Sequence, residues 1–158
     1  MGRIGLDSNV FLCVLLPGAT KTGRENIDGS ERVLKSLGGT NEGITSSIVL
    51  AEIAWAFLRE GKGGPEMEGA REVIEGMEGL EINPVDPDIA WRAGKLRGRH
   101  YEKESPISYQ DTVYLATSLR EKVDALYTTD PHLLELEEEE IPIVEPKDFN
   151  EQRAGKRS

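Results

Sequence analysis

Four acidic side chains occupy positions where a carboxylate could do chemistry: Asp7, Glu52, Asp111 and Asp130. Asp7 directly follows the apolar triplet Ile4-Gly5-Leu6. Glu52 is the single polar side chain in the run 48–58, so its helix reads as buried nearly all round. An ionised carboxylate in such a setting costs several kcal/mol unless something pairs with it. Asp111 comes three residues after Ser108, and Asp130 immediately precedes Pro131. Each acid also has a plain structural explanation. Asp7 and Asp130 are good helix caps, the latter with proline at the first helical position. Ser108 and Asp111 form a variant capping box, and Glu52 could lie on a narrow exposed stripe. What the caps leave unexplained is the shared arrangement of all four.

The elements that would position them follow from the apolar pattern. Short strands are expected at 4–6, 42–46, 80–82, 124–129 and 141–144. Between them the spacing predicts helices at 10–16, 30–37, 48–60, 66–77, 87–102 and 108–122. A last short helix opens at Asp130-Pro131 and runs into the acidic stretch 137–140, while 17–29 reads as an exposed loop. Strands separated by helices on this scale indicate an α/β chain, a three-layer α/β/α sandwich with a mostly parallel sheet of four or five strands. Ligands of such sheets gather outside the carboxyl ends of the strands. With the first strand central, all four acids project to that edge. Like charges gathered there need a counter-charge, and an oxygen ligand set favours Mg²⁺ or Mn²⁺. One or two such ions can turn water into a nucleophile and stabilise charge on a phosphoryl group.

Leu6-Asp7-Ser8-Asn9, the segment Thr45-Ser46-Ser47-Ile48-Val49-Leu50-Ala51-Glu52, then Asp111-Thr112-Val113-Tyr114-Leu115-Ala116-Thr117-Ser118-Leu119 and Leu126-Tyr127-Thr128-Thr129-Asp130 together resemble the PIN domain. They are most similar to the ribonuclease toxins of VapBC toxin–antitoxin pairs, over roughly residues 3–146. Ala90-Trp91-Arg92-Ala93-Gly94-Lys95-Leu96-Arg97 looks like the family's helix preceding the third acid. The resemblance implies a metal-dependent endoribonuclease that leaves a 5′-phosphate and a 3′-hydroxyl. It implies Asp7 and Asp111 as main ligands of Mg²⁺ or Mn²⁺, Glu52 completing the site or positioning water, and Asp130 supporting a second ion or acting through water. Ser8, Asn9 and Thr128 would support them. It further implies an RNA substrate, an antitoxin partner and a homodimer, using apolar surface around Val33, Leu37, Trp55 and Phe57. A catalytically silent PIN-like module that binds RNA or protein is the competing expectation. A phospho-receiver domain is disfavoured, because neither its paired acids on the first strand nor its late Lys stands out.

Composition bounds these readings. The chain has 158 residues, 37% of them apolar, and a net charge of −10. That is the size of one domain, expected over 1–150, with 151–158 as a flexible tail. The charge by itself argues against a broad basic nucleic-acid face. Arg92, Lys95, Arg97 and Arg99 form the main basic segment that could hold RNA, with Lys21 and Arg24 as a second candidate. Cys13 is the single cysteine, so no internal disulfide forms, and one Cys with two His builds no zinc spacing. His100 reads as a surface residue and His132 as capping or packing. Trp55, Phe57, Trp91 and Tyr114 read as core. A signal peptide and a membrane span are both missing from the pattern, and a reduced, cytoplasmic setting is the simplest expectation.

Overall fold

A computed structural model of the chain describes residues 2–150. Met1 and 151–158 lie outside the described residues, and with the latter the expected tail. Five strands, β1 (Gly2–Leu6), β2 (Asn41–Ser46), β3 (Leu80–Asn83), β4 (Ala125–Tyr127) and β5 (Ile143–Val144), form one sheet in the order β3-β2-β1-β4-β5. Every neighbouring pair is parallel. The chain builds outward from β1 to β3 on one side and then returns to place β4 on the other. The topological switch point of the sheet therefore lies between β1 and β4, where crevices open in such folds.

Helices cover both faces. α1 (Ser8–Leu15), α2 (Arg24–Lys35), α3 (Ile48–Arg59) and α4 (Pro65–Glu75) supply one apolar cluster, which includes Ile4 and Leu6 of β1. α5 (Pro87–His100), α6 (Tyr109–Arg120) and the one-turn α7 (Pro131–Leu134) supply the other, with Ile44 and Leu126 from the sheet. The period-2 alternation of side chains across the sheet separates the two cores. This is the expected three-layer α/β/α sandwich, with the first strand central. Among the described residues no helix is long and apolar enough to cross a membrane.

One close approach sets the spacing that matters for the acids. Gly5 stands in register between Ile44 and Leu126, under α6. A Cβ there would lie 2.3 Å from Ser118 Oγ and 3.3 Å from Ser118 Cβ and Leu126 Cδ1. Glycine thus lets α6, which carries Asp111 and Tyr114, rest directly on the strand that ends at Asp7.

Several expectations change. Residues 17–29 are not one loop: a 3₁₀ turn covers Pro17–Ala19, and α2 starts at Arg24, six residues before the expected start at 30. The buried face of α2 is built from Asn26, Gly29, Ser30 and Val33, so small and polar residues conceal its amphipathic pattern. Asn26 Nδ2 donates to Glu145 Oε2 at 2.8 Å and Lys147 N donates to Asn26 Oδ1 at 2.9 Å, tying α2 to the chain after β5. α7 ends at Leu134 and does not enter the acidic stretch, since four glutamates at a helix C-terminus would oppose the helix dipole. β5 is confined to Ile143–Val144 rather than 141–144. α3 is not buried all round: Trp55 is 60% exposed and Leu58 53%. Trp91 is 73% exposed and is not core, whereas Phe57 and Tyr114 are buried. Of the four residues expected to offer apolar surface, Val33, Leu37 and Phe57 are buried and Trp55 is exposed.

Replacing Gly5 with Val is expected to lower stability by about 1–3 kcal/mol through overpacking against α6. Urea unfolding of the two proteins measures this, and an unchanged midpoint would show that α6 does not depend on the glycine.

Candidate active site

Asp7 N donates to Tyr127 O at 3.3 Å, carrying the β1–β4 ladder one residue past the end of β1. The carboxyl ends of these strands therefore emerge side by side, and their next residues carry Asp7 and Thr128-Thr129-Asp130. Asp7 is only 2% exposed. Its Oδ1 accepts from Asn9 N at 2.9 Å, which is the cap of α1, and its Oδ2 accepts from the hydroxyl of Thr128. The same Thr128 Oγ1 accepts from Asp130 N at 2.9 Å. One buried hydroxyl thus holds Asp7 and Asp130 in fixed relation. Asp130 in turn caps α7, its Oδ1 accepting from His132 N at 2.8 Å. The caps expected at Asp7 and Asp130 are real, and both capping residues are among the acids that converge.

Glu52 reaches the cluster from the second turn of α3. Its Oε1 accepts from Tyr114 OH at 2.6 Å. Asp111 N donates to Ser108 Oγ at 3.1 Å, which starts α6 and turns the carboxyl inward, leaving Asp111 7% exposed. Arg97 supports that start. Its Nε donates to Ile107 O at 3.0 Å, and its guanidinium lies 4.4 Å from the Tyr109 ring centroid and 5.3 Å from that of Tyr101.

Burial and mutual repulsion show in the titration of these groups. Burial raises Asp7 to about 7, with the charges of Glu52 and Asp130 adding and the Thr128 and Asn9 hydrogen bonds opposing. Asp111 is raised to about 8, first by burial, then by its hydrogen bond to Asp130 and the charges of Asp130 and Asp7. Glu52 is also raised, mainly by burial, with Asp130 contributing. Asp130 thus acts on the other three acids, Glu52 on Asp7, and Asp7 on Asp111. Among the described residues no Lys or Arg forms an ion pair with Asp7, Glu52, Asp111 or Asp130. Asp111, Asp130 and His132 each offer a ligand atom within 4.8 Å of the others, a set that could hold a metal ion. Oxygen-rich donors that no Lys or Arg among the described residues neutralises are the chemistry that a hard divalent cation fits.

Two grooves flank the cluster. One, of about 790 Å³, is lined by Asn9, Lys21, Arg59, Asp130 and His132 among others. The second, of about 400 Å³, is lined by Arg99, His100 and again His132. The basic residues expected to meet RNA divide accordingly. Arg99 and Lys21 line grooves, whereas Arg92 pairs with Asp88 at 2.9 Å and Arg97 is engaged in holding the chain before α6. Lys95 is exposed on α5, and Arg24 pairs with Asp28 at 3.2 Å. His100 is not a surface residue: its Nε2 lies 3.6 Å from Glu138 Oε2, with side chains 13% and 5% exposed.

Two site residues escaped the sequence reading. Tyr114, read as core, is buried but donates to Glu52; its place three residues after Asp111 on one helix face was the available signal. His132, read as capping or packing, stands in the acid cluster, and only its position two residues after Asp130 hinted at this.

An acid whose folded-state pKa is raised binds its proton more tightly in the fold than in the unfolded chain. Its contribution to stability is full below the unfolded value near 4 and is lost as pH rises through the folded value. For Asp7 at about 7 and Asp111 at about 8, the melting midpoint of the metal-free protein should fall between pH 5 and pH 8.5. Asp7→Asn should weaken that fall and raise the midpoint above wild type at pH 8. Thermal unfolding followed by circular dichroism across this range checks both, and a midpoint rising with pH would contradict them.

No curated protein matches the chain in sequence. Among solved structures, it is similar to VapBC2 from Rickettsia felis bound to a promoter DNA fragment, at 18% identity and TM-score 0.67, covering 90% of this chain and 97% of that one. It also resembles VapBC-1 from nontypeable Haemophilus influenzae, at 15% identity and TM-score 0.62 over 92% and 99% of the two chains. Mycobacterium tuberculosis VapC20, a Sarcin-Ricin loop cleaving toxin, shares 20% identity and a TM-score of 0.59 over 82% of this chain and 90% of its own. The PIN domain family matches residues 4–139. That span contains both strand ends, all four acids and the helices that deliver them, and the chain belongs to the PIN domain family.

Proposed function

We propose that this protein is a divalent-metal-dependent endoribonuclease, with residues 1–150 acting as one nuclease domain, and that it is the toxin of a toxin–antitoxin pair. The observation that carries the reading is the convergence of Asp7, Glu52, Asp111 and Asp130 at the sheet's switch point, where no Lys or Arg among the described residues pairs with them. Membership of the PIN family and the likeness to VapC proteins support it. Asp7, Asp111 and Asp130 would hold Mg²⁺ or Mn²⁺, which when bound supplies Lewis acidity toward a phosphodiester and lowers the pKa of water. Glu52, held by Tyr114, orients the attacking water and accepts its proton. Its raised pKa moves it toward the pH at which it must work as a base. Asn9 and Thr128 hold Asp7 in place. Lys21 and Arg59 in one groove and Arg99 in the other offer phosphate contacts on the two sides of the acids.

The toxin–antitoxin role rests on the solved relatives, several of which are toxin–antitoxin complexes. Trp55 and Leu58 leave apolar surface on α3 for a protein partner or a second copy.

Cleavage of single-stranded RNA with Mn²⁺ or Mg²⁺ tests the activity. Wild type should cleave and chelation should stop it, while Asp7→Asn and Asp111→Asn should lose about a hundredfold or more. Tyr114→Phe removes only the hydroxyl on Glu52 and should lower kcat by about tenfold with a smaller effect on KM. Equal, metal-independent signal from wild type and Asp7→Asn would end the enzyme reading in favour of a silent binding module.

A further inference from the structure

The mechanism proposed for the four acids makes no use of His132, although its ring stands beside Asp111 and Asp130. Asp130 Oδ1 accepts from His132 N at 2.8 Å and lies 3.3 Å from His132 Nδ1. This turn brings the imidazole round to the acids, where its ligand atom and those of Asp111 and Asp130 fall within 4.8 Å of one another. Donor atoms on one six-coordinate ion stand about 3 Å apart when adjacent and about 4 Å when opposite, so a small inward turn of these side chains lets them share a cation. Asp111 is buried while the His132 side chain is 42% exposed, and both grooves end on this ring. The imidazole thus sits on the open side of the cluster, facing the solvent from which an ion enters.

We infer that His132 is a nitrogen ligand of the divalent-cation site, making the donor set mixed carboxylate and imidazole. The inference rests on the metal-site reading proposed above and gives that site a selectivity. Carboxylates serve Mg²⁺ and Mn²⁺ alike, whereas imidazole favours transition metals, and Mg²⁺ seldom exchanges water for nitrogen. The site should therefore prefer Mn²⁺ over Mg²⁺, and His132 should be the source of the preference.

The test is electron spin-echo envelope modulation of the full-length protein loaded with Mn²⁺. The chain has two histidines, so ¹⁴N coupling from imidazole has two sources. Wild type and His100→Gln should show the modulation, and His132→Gln should lose it. By calorimetry, His132→Gln should bind Mn²⁺ about tenfold more weakly and Mg²⁺ with less than a twofold change. Selective ¹⁵N-histidine labelling of wild type should replace the ¹⁴N frequencies, which makes the test independent of how the variant folds. Mn²⁺ bound in an Asp7-dependent way without nitrogen coupling, or with coupling that survives His132→Gln, overturns this inference alone. Absence of any Mn²⁺ binding overturns it together with the metal-site reading.

Discussion

Carboxylates that are buried together and repel one another are the constraint on which the rest of this structure depends. Asp7 and Asp111 are nearly inaccessible, Glu52 is partly buried, and Asp130 lies close enough to raise the other three. Left to themselves such groups would move apart or take up protons, so their positions must be held by the fold. The parallel sheet brings the ends of β1 and β4 together at the switch point. Gly5 lets α6 descend far enough to deliver Asp111, Thr128 joins Asp7 to Asp130, and Tyr114 joins Glu52 to α6. Each device is neutral and donates a hydrogen bond or permits close approach. None supplies positive charge, and on the proposed reading a divalent cation takes that role.

The same constraint gives the chain's charge a different meaning. A net charge of −10 suggests a protein that repels nucleic acid. Here the acids divide into an inward-facing cluster and peripheral groups such as Glu137, Glu139 and Glu140, which are exposed. Lys21, Arg59 and Arg99 line the grooves beside the cluster. On the proposed reading, a bound cation reverses the local sign at the place where a phosphodiester must come, and the rest of the surface keeps the protein from holding RNA unspecifically.

Much of this was legible in the sequence, for identifiable reasons. The short apolar strands and their intervening helices carried the architecture, because parallel strands buried on both faces read as continuous apolar runs. Asp7, Ser108 and Asp130 were legible as caps, since capping depends on local residue types. The start of α2 was hidden because its buried face is Asn26, Gly29 and Ser30, chosen for contact with the chain around Pro146 and not for hydrophobicity. The exposure of Trp55 and Trp91 was hidden because burial belongs to the assembled layers, not to a helix's own composition. Tyr114 is core as expected, but its hydrogen bond to Glu52, like the nearness of His132 to Asp111 and Asp130, depends on neighbours in space.

The most direct test of the account is where a divalent ion sits. Anomalous difference density from a crystal grown with Mn²⁺ should show a peak bounded by the carboxylates of Asp7, Asp111 and Asp130 at the ends of β1 and β4. A structure with the four acids in the same places and no peak among them, or with the ion bound elsewhere, would contradict it.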